Sequence, residues 1–202
     1  MAQIDYYCFP LSPFSYLAGL GLEAVADRHG AQVVYKPVQL FRIFEATGTA
    51  LPKDRHVSRQ QYRLQDIARV ARAAGLPVNL KPAFWPTNPA PASAGIIAAQ
   101  AAGGGDLGGL VHGFLRAVWA EERDIAEDAV VRDVLGAHGF DPGIADRNLM
   151  GAMETLQRNT DEALRRMVFG APSYVVGEEV FWGQDRLPLL DAHLADRVAA
   201  AG

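Results

Sequence analysis

The chain has 202 residues, half of them hydrophobic and about a fifth charged, a balance that suits a globular protein with one sizeable core. Nineteen Lys and Arg against 23 Asp and Glu give a formal net charge of −4, and neither a basic run for nucleic acid nor an acidic tail stands out. The single cysteine, Cys8, excludes an internal disulfide.

The opening MAQIDYYCF lacks the basic and apolar regions of a signal peptide. The best candidate for a membrane span, Ser93 to Ala102, falls well short of the ~20 residues that span a bilayer and is poor in large side chains. A cytoplasmic protein that binds neither nucleic acid nor membrane is expected.

Ile4 to Phe9 has the aromatic and β-branched composition of a strand. Ser12-Pro13 then reads as an N-cap followed by proline at the first helical position, opening a helix through Leu17, Leu20, Leu22 and Val25 to His29, where Gly30 stops it. Gln32 to Leu40 reads as a second strand, and a β-α-β unit of this kind favours a parallel pair. Helical spacing recurs over 54–74, 93–102, 107–121, 129–138 and 153–169. A proline-rich loop, Asn79 to Pro91, carries Trp85. The glycines of GGGDLGG, Gly103 to Gly109, follow a helix and lack a P-loop lysine, so they read as helix termination. Near the end, Ala171 to Val176 and Val180 to Trp182 form a hairpin around Gly177-Glu178-Glu179. Gly183-Gln184-Asp185-Arg186 then opens a last helix with Leu187, Leu189, Leu190, Leu194 and Val198 on its apolar side.

With the helical middle set aside, the order is β-α-β then β-β-α. This is an α/β, thioredoxin-like sheet, with residues 1–40 and 170–202 forming that domain and residues 41–169 a large all-helical insertion.

Ligands of open α/β sheets collect beyond the carboxyl ends of the parallel strands, which here points to Pro10–Ser15. A helix start there stabilises an anion such as a thiolate through free N–H groups, and the Ser12 hydroxyl can add a hydrogen bond; spacing alone favours Ser12 as a plain N-cap. Pro172 at a strand mouth is either an ordinary trans proline or a cis one that turns the Ala171 backbone toward an extended peptide. Asp185 either caps the last helix or binds the amino group of a peptide-like ligand, with Gln184 and the Gly183 backbone near its carboxylate. The five histidines are scattered without metal-ligand spacing, so no metal is expected, and Cys8 reads as a buried strand residue. Dithiol exchange needs C-x-x-C in the first turn, where Ser12-Pro13-Phe14-Ser15 stands instead.

SPFSYLA after the first strand, GAPSYVVGEEVFWGQDRL before the last helix and the helical insertion between them resemble the 2-hydroxychromene-2-carboxylate isomerases of the kappa-type glutathione transferase group. Pro52-Lys53, Tyr62 with Asp66 and Arg69, Gly75-Leu76-Pro77, Trp85-Pro86 and Asn88-Pro89 extend the similarity into the insertion. The resemblance implies glutathione as cofactor, with Ser12 facing its sulfur, Ala171 and Pro172 beside its cysteinyl part, and Trp182, Gly183, Gln184 and Asp185 around its γ-glutamyl end. It implies a pocket for a small aromatic carboxylate involving Lys53, Tyr62, Trp85 and Asn88, and a homodimer. Three of the four also have a plainer reading: Lys53 as a solvated lysine at a helix start, and Tyr62 and Trp85 as packing residues. The implied reaction interconverts 2-hydroxychromene-2-carboxylate and trans-o-hydroxybenzylidenepyruvate; the alternative is a glutathione transferase or peroxidase acting on another electrophile.

Overall fold

The computed structural model describes residues 1–147 and 149–201; the side chains of residues 198–201, and with them the expected role of Val198, lie outside the description. Strand β1 (Gln3–Cys8) is buried along almost its whole length, which explains why apart from Gln3 and Asp5 it holds Ile, Tyr and Cys. It pairs in parallel with β2 (Gln32–Pro37) and antiparallel with β3 (Ser173–Val176), which pairs in turn with β4 (Glu179–Trp182), giving the sheet order β2-β1-β3-β4. The β3–β4 loop is only Gly177-Glu178. Gly177, at φ 60°, takes the positive-φ position that so tight a hairpin needs.

The expected first helix is two: α1 (Pro13–Leu17) and α2 (Gly21–His29). Gly19 breaks the run at φ 58°, and α2 is closed by Gly30 in the left-handed region, as expected. The second strand is shorter than its apolar run suggested. It ends at Pro37, and α3 (Leu40–Ala46) begins where strand was expected, burying Leu40, Ile43 and Phe44 at helical spacing.

A 3-10 turn, Pro52–Asp54, leads to α4 (Val57–Ala74), which ends at Gly75 with φ 67°. The remaining helices before β3 are α5 (Ala90–Ala102), α6 (Leu107–Trp119), α7 (Asp128–Ala137), α8 (Ile144–Arg147) and α9 (Leu149–Arg165). Of these only α8 had no counterpart in the sequence reading. The glycines between α5 and α6 do terminate a helix: Gly103, Gly104 and Gly105 all have positive φ, and Asp106 caps α6 by accepting from the Gly109 N–H at 2.8 Å. The last helix, α10 (Leu187–Ala201), starts after a 3-10 turn at Gln184–Arg186. Leu190 and Leu194 are buried, whereas Leu189, off that stripe, is 57% exposed.

Alternation along β1 sends Ile4, Tyr6 and Cys8 into one cluster with Leu22 and Val25 of α2, Ile96 of α5, Leu110 and Phe114 of α6 and Leu190 and Leu194 of α10. Tyr7 faces the other way, toward Val38, Ile43 of α3, Ala163 of α9, Val168 and Val175. On that second face Asp5, nearly buried, meets Lys36 at 3.3 Å and Arg166 at 3.2 Å, and Lys36 also holds Glu162 of α9 at 2.6 Å. A carboxylate in this position is tolerable only because it is paired twice.

On the first face Glu23 accepts from the Tyr35 hydroxyl at 2.7 Å, while its Oε2 is buried without a partner among the described residues. Burial raises the Glu23 pKa above its ordinary 4.5, outweighing the Tyr35 hydrogen bond. The folded state therefore holds this proton more tightly than the unfolded chain, and stability falls as pH rises from the unfolded value through the raised folded one. Glu23→Gln, which can still accept from Tyr35, should unfold in urea like the parent below about pH 4 and be the more stable protein above that window; an offset that does not vary with pH would contradict the assignment. Helix α4 is anchored by two buried side chains, Ile67 and Ala71. Ile67→Ala should cost about 2–5 kcal/mol by chemical denaturation.

Candidate active site

Antiparallel pairing of β1 with β3 matches Tyr7 to Ser173, so the chain leaving β1 meets the chain entering β3. Ser12 and Ala171 come together at that junction. The Ser12 side chain is 5% exposed; its hydroxyl donates to the Ala171 carbonyl at 3.1 Å and its oxygen accepts from the Ser15 N–H at 3.2 Å. Ser12 is thus the N-cap of α1, with Pro13 at the first helical position as the sequence predicts. The capping reading is correct, and the same oxygen also bridges to the second loop. The Ala171–Pro172 peptide is cis, and the Ala171 N–H has no partner among the described residues. The Pro172 carbonyl accepts from Gly183 N–H at 2.9 Å, and the Ser173 hydroxyl donates to the Gly170 carbonyl at 2.8 Å.

These loops open on a cleft of about 730 Å³. Ser12, Ala171, Pro172, Trp182, Gly183, Gln184 and Asp185 all line it, as does Trp85. Trp182 is half exposed, with its ring 4.7 Å from that of Phe169 in an edge-on contact. It lies over Gly170, where a Cβ would run into the indole. Asp185 does not cap the last helix; it sits inside the 3-10 turn and pairs with Arg186 at 2.8 Å. Trp85 donates its Nε1–H to the Leu11 carbonyl at 3.1 Å, which fixes its ring beside the residue preceding Ser12.

Lys53, Tyr62 and Asn88 are not among the lining residues. Lys53 is exposed in its 3-10 turn, and its carbonyl accepts from Gln60 at 3.0 Å. Tyr62, expected to pack inward or line the pocket, is 58% exposed under Arg69, which is 5.5 Å from its ring. Asn88 is exposed, its Oδ1 accepting from the Ala90 N–H at the start of α5. The helical phase of α4 explains Tyr62: the turn that points it outward brings Arg59 and Arg63 to the cleft.

The arginines are what the sequence reading missed, although Arg55, Arg59 and Arg63 stand four residues apart. With Arg186 they set four guanidinium groups on the cleft against two carboxylates, Asp66 and Asp185. Asp66 is taken by Arg69 at 3.2 Å and Asp185 by Arg186. Burial destabilises the charged forms of Arg55 and Arg63, and the neighbouring arginine adds to this in each case. The aromatic walls Phe9, Phe14, Phe41 and Phe44 were missed as well, the last two because no element was assigned between Leu40 and Asp54, where α3 lies.

Cys8 is 1% exposed and burial drives its thiol pKa well up, so no reactive protein sulfur serves this cleft. Among the described residues no group of three or more His, Cys, Asp or Glu is placed to hold a metal ion, and no helix is long and apolar enough to cross a membrane.

Residues 3–195 match the model of the DsbA-like thioredoxin domain family. The chain is 30% identical over 197 residues to 2-hydroxychromene-2-carboxylate isomerase of Pseudomonas putida, covering 94% of this chain and 92% of that one. It is 31% identical over 196 residues to the enzyme of the same name from Pseudomonas sp. strain C18, covering 93% and 88%. A solved 2-hydroxychromene-2-carboxylate isomerase superposes with a TM-score of 0.78 at 26% identity, covering 99% of both chains. The cytosolic disulfide reductase DsbM of Pseudomonas aeruginosa, at 19% identity and a TM-score of 0.72, shares the fold. With a sheet that brings two distant loops to one aromatic cleft, and with matches of this length, the chain belongs to the DsbA-like thioredoxin domain family, together with the 2-hydroxychromene-2-carboxylate isomerases to which it is similar.

Proposed function

We propose that this protein is a glutathione-dependent isomerase that interconverts 2-hydroxychromene-2-carboxylate and trans-o-hydroxybenzylidenepyruvate. The observation that carries the reading is the Ser12–Ala171 hydrogen bond at the start of α1: an anion-stabilising corner built without a cysteine, in a chain whose long matches are isomerases of that name.

The residues present suit glutathione. The unpartnered Ala171 N–H and the Ala171 carbonyl form the two-sided edge that an extended peptide pairs with. Gln184 and Asp185 offer an amide and a carboxylate to an α-amino acid end, and the cleft arginines offer charge to carboxylates. When bound, glutathione supplies a thiolate able to add reversibly to a conjugated double bond, which permits rotation about it.

Ser12 has one hydroxyl proton, given to the Ala171 carbonyl. With a peptide N–H also serving that carbonyl, the Ser12 hydroxyl could turn its proton to a thiolate held near the start of α1. The Phe14 N–H, without a partner among the described residues, adds a second donor there. Phe9, Phe14, Phe41, Phe44 and Trp85 exclude water from the reacting bond and strengthen these interactions.

Steady-state turnover of the chromene acid with saturating glutathione tests the reading. We expect isomerisation that depends on glutathione and leaves its concentration unchanged; no turnover at saturation rejects it. Ser12→Ala should raise the apparent pKa of the bound thiol by about 1–2, the worth of one hydrogen bond to a charged group. The ultraviolet thiolate absorbance against pH measures this, and an unchanged titration would reduce Ser12 to a helix cap.

A further inference from the structure

Of the cleft arginines, Arg63 alone is both half-buried and uncommitted. Arg186 is paired with Asp185, and Arg55 donates from Nε to the Ala50 carbonyl at 3.0 Å while lying 5.8 Å from the Phe44 ring. Arg59 is exposed at the rim. Arg63 has neither an ion pair nor a hydrogen-bond acceptor among the described residues, and its guanidinium lies 5.3 Å from the centre of the Trp85 ring. Burying a cation without an anion is costly, and stacking on an indole returns only about 0.5–2 kcal/mol. The stacking does, however, fix where the planar fork of donors lies. Trp85 is tied to the Leu11 carbonyl, one residue before Ser12, so Arg63, Trp85 and the Ser12 corner are held in one train of contacts.

We propose that Arg63 is the specificity-determining residue that holds the carboxylate of the electrophile while the adjoining ring packs along the aromatic wall; this rests on the function proposed above. A guanidinium fork matches the planar carboxylate with two parallel hydrogen bonds, a geometry that a lysine does not reproduce. The carboxylate at Arg63 sets the distance and direction of the conjugated double bond from the Ser12 corner, so that one contact serves both selection and alignment. A neutral arylidene ketone of the same shape gains nothing from this residue.

The test is calorimetric binding, without glutathione and hence without turnover, of trans-benzylidenepyruvate and of benzylideneacetone, the analogue with a methyl group in place of the carboxylate. Parent protein, Arg63→Met and Arg63→Lys are compared. We expect the acid to bind the Met variant at least ~10-fold more weakly, equivalent to about 1.4 kcal/mol, the Lys variant to fall between, and the ketone to bind all three alike. An equal loss for acid and ketone, an acid affinity that ignores the substitution, or no binding of the acid to the parent protein overturns the assignment. A parent protein that fails to isomerise the chromene acid yet shows this discrimination leaves Arg63 in place and removes the isomerase reading; turnover without the discrimination does the reverse.

Discussion

The site depends on one strand pairing. Because β1 and β3 run antiparallel in the register Tyr7↔Ser173, the end of one and the beginning of the other lie side by side, and residues 159 positions apart share a hydrogen bond. A parallel pairing would have sent the two loops to opposite ends of the sheet. The Gly183 N–H bond to the Pro172 carbonyl carries the same logic one strand further, folding the turn that holds Gln184 and Asp185 back onto the β3 entrance. Three short loops, each unremarkable in isolation, become one surface because hydrogen-bonded strands fix their ends.

Around that surface the protein's charge is unevenly shared. The chain carries a formal charge of −4, yet its cleft gathers four arginines against two aspartates that are already paired. Low-dielectric aromatic walls lengthen the reach of such charges and focus them on the opening. The positive charge is therefore local to the cleft and independent of the overall balance of the molecule.

Much of this was legible in the chain itself. Runs such as Ile4–Phe9 and Ala171–Val176 are, apart from Asp5 and Ser173, rich in apolar and aromatic residues on both faces because their strands are buried, and Gly30, Gly75 and Gly103 mark helix ends where positive φ is required. Ser12, Ala171 and Trp182–Asp185 could be read because each sits next to a turn with a fixed geometric role. The α3 wall could not: Leu40, Ile43 and Phe44 follow directly on an apolar strand, and only tertiary packing on Ile43 and Phe44 decides where extended backbone gives way to helix. In the region from Lys53 to Arg63 the helical phase decided the matter. One residue's rotation of about 100° separates an outward Tyr62 from an inward Arg63, and the stripe of arginines at intervals of four was the signal that could have set it.

The Asp5 network has a mechanical consequence. Asp5 and Lys36 on the sheet are bound to Glu162 of α9 and to Arg166 just past its end, and α9 in turn holds α3 and its N-cap through Asp161–Arg42 and the Thr160 hydroxyl at the Gln39 N–H. Moving Phe41 and Phe44 away from the cleft would mean breaking these contacts of α3 with α9. This wall of the cleft is thus tied to the sheet at several points, whereas the rings of Trp182 and Phe169, which line the same cleft, are half exposed and rest edge-on against each other.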